Sequence, residues 1–311
     1  QGNSDVNGIG DFFYAPPTGF LALCTDNLPN PGVDPNTGDD PADYFNTVKY
    51  LGNNTSPRAI TGVGFEPDWV WIKDRTAANN HVLVDRVRGV SELLYSNSTV
   101  AAVTGAGQIS SFDSDGFTLG ATTYVNENSS SNAYVAWNWK AGGTAVSNTD
   151  GTITTTVSAN TEAGFSVFTY TGTGNADSVG HGLGTTPKLV IYKNRDSSSG
   201  WLVLTTALDG TTDYLTLNAQ DTKTNLDTYS MTSSVVNFGG ASTAVNKSGD
   251  GHVAFAFAEI EGYSRVGTYQ GNALTDGTYV YTGFRPAFLI IKNVDSSQNW
   301  FMFDSVRSPY N

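Results

Sequence analysis

The sequence predicts an all-β protein built as tandem antiparallel β-sandwiches of the concanavalin or jelly-roll kind, and three observations carry that prediction. Of the 311 residues, 34 are glycine, accompanied by abundant Thr, Ser, Asn, Val and Tyr, while the usual helix formers Leu, Glu and Lys are sparse. Apolar runs of about five residues rich in Val, Ile, Trp and Phe, such as Trp69-Val-Trp-Ile72, lie between a Pro and a polar loop, which is the pattern of buried strands. Finally, one pattern is written three times.

The first copy reads Tyr50-Leu-Gly52, Gly62-Val-Gly64-Phe-Glu-Pro67, Trp69-Val-Trp-Ile-Lys73 and Val82-Leu-Val-Asp85. The second reads Tyr170-Thr-Gly172, Gly182-Leu-Gly184-Thr-Thr-Pro187, Leu189-Val-Ile-Tyr-Lys193 and Leu202-Val-Leu-Thr205. The third reads Tyr269-Gln-Gly271, Thr282-Gly-Phe-Arg-Pro286, Phe288-Leu-Ile-Ile-Lys292 and Phe301-Met-Phe-Asp304. In each, Tyr precedes Pro by 17 residues and Lys follows it by 6. The landmark set is therefore Tyr50, Pro67 and Lys73, then Tyr170, Pro187 and Lys193, then Tyr269, Pro286 and Lys292. A closing strand recurs as Ala133-Tyr-Val-Ala-Trp-Asn-Trp139 and Gly251-His-Val-Ala-Phe-Ala-Phe257, and the third copy stops before its own.

These landmarks divide the chain. Residues 1–43 are the end of a preceding module plus an acidic, Pro-rich linker. Residues 44–143 are the first sandwich, 144–164 a linker, 165–262 the second sandwich and 263–311 the start of a third. Within each copy the segments 74–80, 194–200 and 293–299 are short polar hairpin loops. Small-residue connectors between such units predict an extended rod with outward loops.

Composition narrows the function classes. With 16 basic and 29 acidic residues the net charge is -13, which repels nucleic acid and anionic membrane surfaces. No apolar run reaches the ~20 residues of a membrane span, so no membrane insertion is expected. The one cysteine, Cys24, reads as a small buried hydrophobe.

Each motif with chemical potential has a plainer alternative. Gly62-Val-Gly64 looks like a phosphate loop, but a Pro and a strand follow where a helix N-terminus is required, so the glycines turn a corner. Asp113-Ser-Asp115-Gly116 resembles part of a calcium loop and reads as a hairpin turn. The segment from Asp26 to Asp43 is a stiff solvated linker or, through Asp34, Asp39 and Asp40, an oxygen-rich calcium site. Asp85 with Arg88, and Asp304 with Arg307, read as ion pairs pinning a strand end, since a catalytic pair would not be duplicated. Position 14 after the Pro holds His81, Trp201 and Trp300. Exposed there, these rings would stack on sugars; packed, they would cover the end of the sandwich. No catalytic residue is nominated.

Together, "GVGFEPDWVWIKDR", "VDRVRG", "SFDSDGFTLG", "YVAWNWKAGG" and "YTGFRPAFLIIKNVDSS" resemble a repeated β-domain of uncharacterised function from structural proteins of marine tailed bacteriophages. The upstream "GDFFYAPPTGFLALCTDNLP" resembles the end of a SPRY-like, concanavalin-type module. The resemblance implies a noncatalytic fibre- or spike-like appendage at the virion surface. Its partners would be other virion proteins and a host cell-surface glycan, with a homotrimer expected by analogy. A capsid or tail decoration and a polysaccharide-degrading tailspike are the alternatives. No cofactor is implied beyond the calcium considered above.

Overall fold

The computed structural model describes every residue except 1, 28–32, 34–37, 106, 121, 128–131 and 308–311. The fold is all-β, as the composition predicts, with a single short α-helical turn, Thr123–Asn126, among the described residues. The first nine strands are β1 (Phe45–Leu51), β2 (Arg58–Thr61), β3 (Trp69–Asp74), β4 (Val82–Asp85), β5 (Glu92–Tyr95), β6 (Val103–Thr104), β7 (Ile109–Asp113), β8 (Gly116–Leu119) and β9 (Ala133–Trp139). They form a six-stranded sheet in the order β1-β9-β3-β4-β5-β6 and a three-stranded sheet β2-β8-β7. Val70, Ile72, Val82 and Val84 of the large sheet close on Ile60, Phe117 and Leu119 of the small one, and together they make a sandwich.

The next eleven strands are β10 (Val146–Asn148), β11 (Thr155–Asn160), β12 (Phe165–Thr171), β13 (Ser178–Gly180), β14 (Leu189–Asn194), β15 (Leu202–Thr205), β16 (Asp213–Thr216), β17 (Thr224–Asn225), β18 (Ser230–Met231), β19 (Val235–Asn237) and β20 (Gly251–Phe257). Their large sheet contains the order β12-β20-β14-β15-β16-β17, extended by β11 and β10 beyond β12, and their small sheet is β13-β19-β18. Position for position this is the strand order of the first sandwich. A hairpin, β21 (Phe288–Lys292) with β22 (Trp300–Asp304), stands as a two-stranded sheet.

The two large sheets do not string out along a rod. They pack face to face across one core that joins Trp69, Trp71, Trp137 and Trp139 to Phe165, Trp201, Val203 and Phe255, with Phe288, Trp300 and Met302 of the hairpin packed against it. The expected extended rod is therefore corrected to a compact stack. The cause lies in strand alternation: Val70 and Ile72 face the small sheet, Trp69 and Trp71 face the neighbouring large sheet, and a strand covered on both faces reads as a continuous apolar run.

The N-terminal segment is held differently. Asn3 and Phe12 form an isolated bridge, and the Asp5 carboxylate accepts from the backbone N–H of Asn7, Ile9 and Ala22 and from the Asn27 amide.

Candidate functional site

The repeated polar residues come first, because their spacing singles them out. Tyr50 and Tyr170 are buried, and their hydroxyls donate to the carbonyls of Val125 (2.9 Å) and Val245 (2.5 Å), each 75 residues downstream. Each landmark lysine turns back onto its own hairpin loop. Lys73 Nζ donates to the carbonyl of Asn79 (2.9 Å), Lys193 to Ser199 (2.8 Å) and Lys292 to Gln298 (2.5 Å). The residue after each lysine closes an Asx turn: Asp74 Oδ1 accepts from Thr76 and Ala77, Asn194 Oδ1 from Asp196 and Ser197, and Asn293 Oδ1 from Asp295 and Ser296. Burial lowers the Lys193 amine to about 8, the cost of placing an ammonium in an apolar interior. Tyr269, in contrast, is exposed.

The strand-end ion pairs form as expected. Arg88 Nε meets Asp85 Oδ2 at 2.5 Å with both side chains fully buried, and Arg307 Nε pairs with the buried Asp304 Oδ2 while its own side chain stays partly exposed. Where the second sandwich has Thr205, its hydroxyl donates to the Lys188 carbonyl (2.8 Å) and accepts from the Ala207 N–H. The Gly-x-Gly stretch binds an anion after all, and the anion belongs to the chain: the N–H groups of Gly62 and Gly64 donate to Asp115 at 3.0 and 2.7 Å. Those two donors hold the Asp115 carboxyl below its usual range. Gly62 and Gly64 both sit at φ 87°, which suits glycine.

Of the aromatic candidates, Trp201 is fully buried and donates its indole N–H to the Tyr95 carbonyl of the first sandwich at 2.9 Å. It offers no open face for a sugar, so the stacking reading is corrected to packing at this position. Trp300 is half-buried and donates to the Thr216 carbonyl of the second sandwich at 3.0 Å. His81 is half-buried, and its Nδ1 accepts from Trp71 Nε1 at 2.8 Å. Burial, helped by the Lys73 and Arg307 charges, lowers its pKa to about 4.

The calcium candidates are not gathered. Asp34 lies outside the described residues. Asp39 accepts from the Tyr44 hydroxyl, and Asp40 caps the short 3-10 helix at Pro41–Asp43 by accepting from Ala42 N–H. Among the described residues no group of three or more His, Cys, Asp and Glu side chains is placed to hold a metal ion. His181 and His252 are buried against backbone groups, at Leu183 N–H and the Thr232 carbonyl and at the Asp250 carbonyl.

One polar cleft escaped sequence reasoning. A volume of about 400 Å³ between the sandwiches is lined by Glu66, Asp68, Arg86, Lys140, Asn160 and Glu162. Asp68 is buried, and its Oδ2 accepts from the N–H groups of Ala141 (2.7 Å) and Gly143 (3.2 Å). Arg86 bridges Glu66 at 2.7 Å and stands 4.0 Å from Asp68 Oδ1. Burial raises the Asp68 carboxyl above its ordinary range, against those donors and the Arg86 charge. The carboxylate fixes the corner where the chain leaves β9 for the second sandwich. The only sequence signal was an Asp directly after Pro67, a position taken by Lys188 and Ala287 in the other copies.

These features define an all-β sandwich protein whose recurrent polar side chains are spent on its own backbone. The chain belongs to the family described as Domain of unknown function (DUF7483), whose model matches residues 40–311. No curated protein and no solved structure matches it significantly.

Proposed function

We propose that the chain is a noncatalytic structural protein of a tailed-bacteriophage virion, part of a fibre- or spike-like appendage at the particle surface. The observation that carries this reading is the fate of the recurrent polar residues. Tyr50, Tyr170, Lys73, Lys193 and Lys292 all donate to main-chain carbonyls of the chain itself, so the most regular feature of the sequence supports a scaffold. The phage assignment rests on the motif resemblance. Other virion proteins are the partners that a rigid stack of sheets suits best. Because the Trp201 ring is enclosed, any contact with a host glycan falls to the outward loops and not to that ring.

The test is localisation together with turnover. Antibodies raised against the recombinant chain should label an appendage on particles whose genome encodes it, and the purified chain should release no new reducing ends from host polysaccharide. Unlabelled particles, or steady release of reducing ends, would overturn the proposal.

A further inference from the structure

The two sandwiches differ at one place, on the face of the large sheet turned away from the shared core. In the first, Tyr95 of β5 and Tyr124 meet with ring centroids 5.8 Å apart. They pack with Val82, Leu93 and Val125 in a cluster drawn entirely from that sandwich. The second sandwich has smaller residues at those two positions. Thr216 stands opposite Leu202 as Tyr95 stands opposite Val82. Ala244 precedes Val245 as Tyr124 precedes Val125, the two valines whose carbonyls accept from Tyr170 and Tyr50. Two aromatic rings are therefore missing from a unit that otherwise repeats the strand order of the first.

In their place is a cleft of about 440 Å³, walled on one side by Leu202 and Tyr214 of the sheet and on the other by Leu226, Thr228, Tyr229 and Ser242. Burial changes with it. Val82 and Leu93 are 0% and 1% exposed, whereas Leu202 and Tyr214 at the matching positions are half-buried. The far wall is held in place: Leu226 N–H donates to Thr212 O at 2.8 Å, Tyr229 N–H to Leu226 O at 2.9 Å, and the Tyr229 ring packs on Phe238.

The chemistry of the walls selects the occupant. They carry two phenol rings, two leucines, two aliphatic hydroxyls and the backbone of Gly239 and Gly240, with no Asp, Glu, Lys, Arg or His among them. An ion would lose its water there without gaining a counter-charge. A purely apolar molecule would leave the hydroxyls and peptide groups unpaired. A sugar ring answers both sides, since its C–H face packs on an aromatic ring while its hydroxyls take up the polar groups. The volume also falls within the roughly 300–1,000 Å³ of small-ligand sites. From this we infer that the cleft of the second sandwich binds one neutral hexopyranose unit, stacked on Tyr214 and hydrogen-bonded by the Thr228 and Ser242 hydroxyls. The cleft holds the sugar whether or not the chain sits on a virion, so a failure to label particles and a failure to bind sugar are separate outcomes.

The probes are the methyl glycosides of D-galactose, D-glucose and N-acetyl-D-glucosamine, each titrated into the full chain and read by saturation-transfer NMR. Transfer from the protein to the ring protons of at least one glycoside is expected. Cyclohexanol, a six-membered ring without the full set of hydroxyls, should bind about tenfold more weakly. Tyr214→Leu, which matches Leu93 of the first sandwich, should weaken glycoside binding about tenfold. Thr216→Tyr combined with Ala244→Tyr refills the space as the first sandwich does and should abolish binding while the thermal transition is kept. No transfer to any of the three glycosides, equal binding of cyclohexanol, or binding undiminished in Tyr214→Leu or in the folded double variant would each overturn the inference.

Discussion

At the scale of single residues, the two sandwiches solve one problem with exchanged groups. In the first, the corner after the lysine is a carboxylate: Asp74 Oδ2 accepts from the Asn132 amide at 2.7 Å. In the second the pair is reversed, and the Asn194 amide donates to Asp250 Oδ2 at 2.9 Å. Hydrogen bonds from Ser197 and Asn194, in that order, hold the Asp250 carboxyl down to about 2. Either arrangement joins one acceptor to one donor, but two carboxylates cannot share the site. Asn194→Asp alone should therefore cost about 2–3 kcal/mol, since it removes a charge-assisted bond and sets like charges together at a buried position. Adding Asp250→Asn restores the first sandwich's arrangement and should recover most of that loss. A double-mutant cycle in urea reads the coupling directly, and additive losses would show that the two side chains do not interact.

At the scale of elements, the hairpin that joins β3 to β4 carries a half-buried neutral imidazole, and pH reports on it. The His81 pKa falls from the ordinary 6.5 to about 4 on folding, so between those values the unfolded chain binds the proton and the folded chain does not. Stability is then full above about pH 6.5 and declines as pH falls towards 4, by about 2 kcal/mol for this ring. Burial also lowers the pKa of His181 and His252, so they add to the slope. His81→Gln, whose amide oxygen can still accept from Trp71, should flatten part of the decline in urea midpoints measured from pH 7 to 4.5, and an unchanged slope would rule out the assignment. The elements themselves were legible in the sequence. The strands holding Trp69–Asp74 and Leu189–Asn194, the polar loops after them and the closing strands at 133–139 and 251–257 fall where the apolar runs and the Pro-to-Lys spacing put them. What the spacing could not show was the surroundings of position 201 or 300, because burial there depends on a strand of a different sandwich.

At the scale of the whole molecule, the same limit explains why a rod was expected and a stack is found. The sequence did carry the signal, since Trp69-Val-Trp-Ile72 and Tyr134-Val-Ala-Trp137 are apolar or aromatic towards both faces, more than a sandwich with one solvated face requires. The choice of neighbour for the second face was not written in any local pattern; it emerges only when Trp69 stacks on Phe255 at 4.3 Å. One shared core has a thermodynamic consequence. Sandwiches linked as beads would unfold independently, whereas sheets that bury Trp69, Trp137, Phe165 and Trp201 in one cluster lose that burial together. Calorimetry and near-ultraviolet circular dichroism should therefore show a single cooperative transition for residues 44–262. Trp69→Ala, which empties the centre of the shared core, should cost about 3–5 kcal/mol and lower the transition of both sandwiches, including the second, to which Trp69 does not belong. Reporters placed in the two sandwiches would separate the alternatives: if only the first responds to Trp69→Ala, or if the unaltered chain already melts in two steps, the large sheets are not held by a common core.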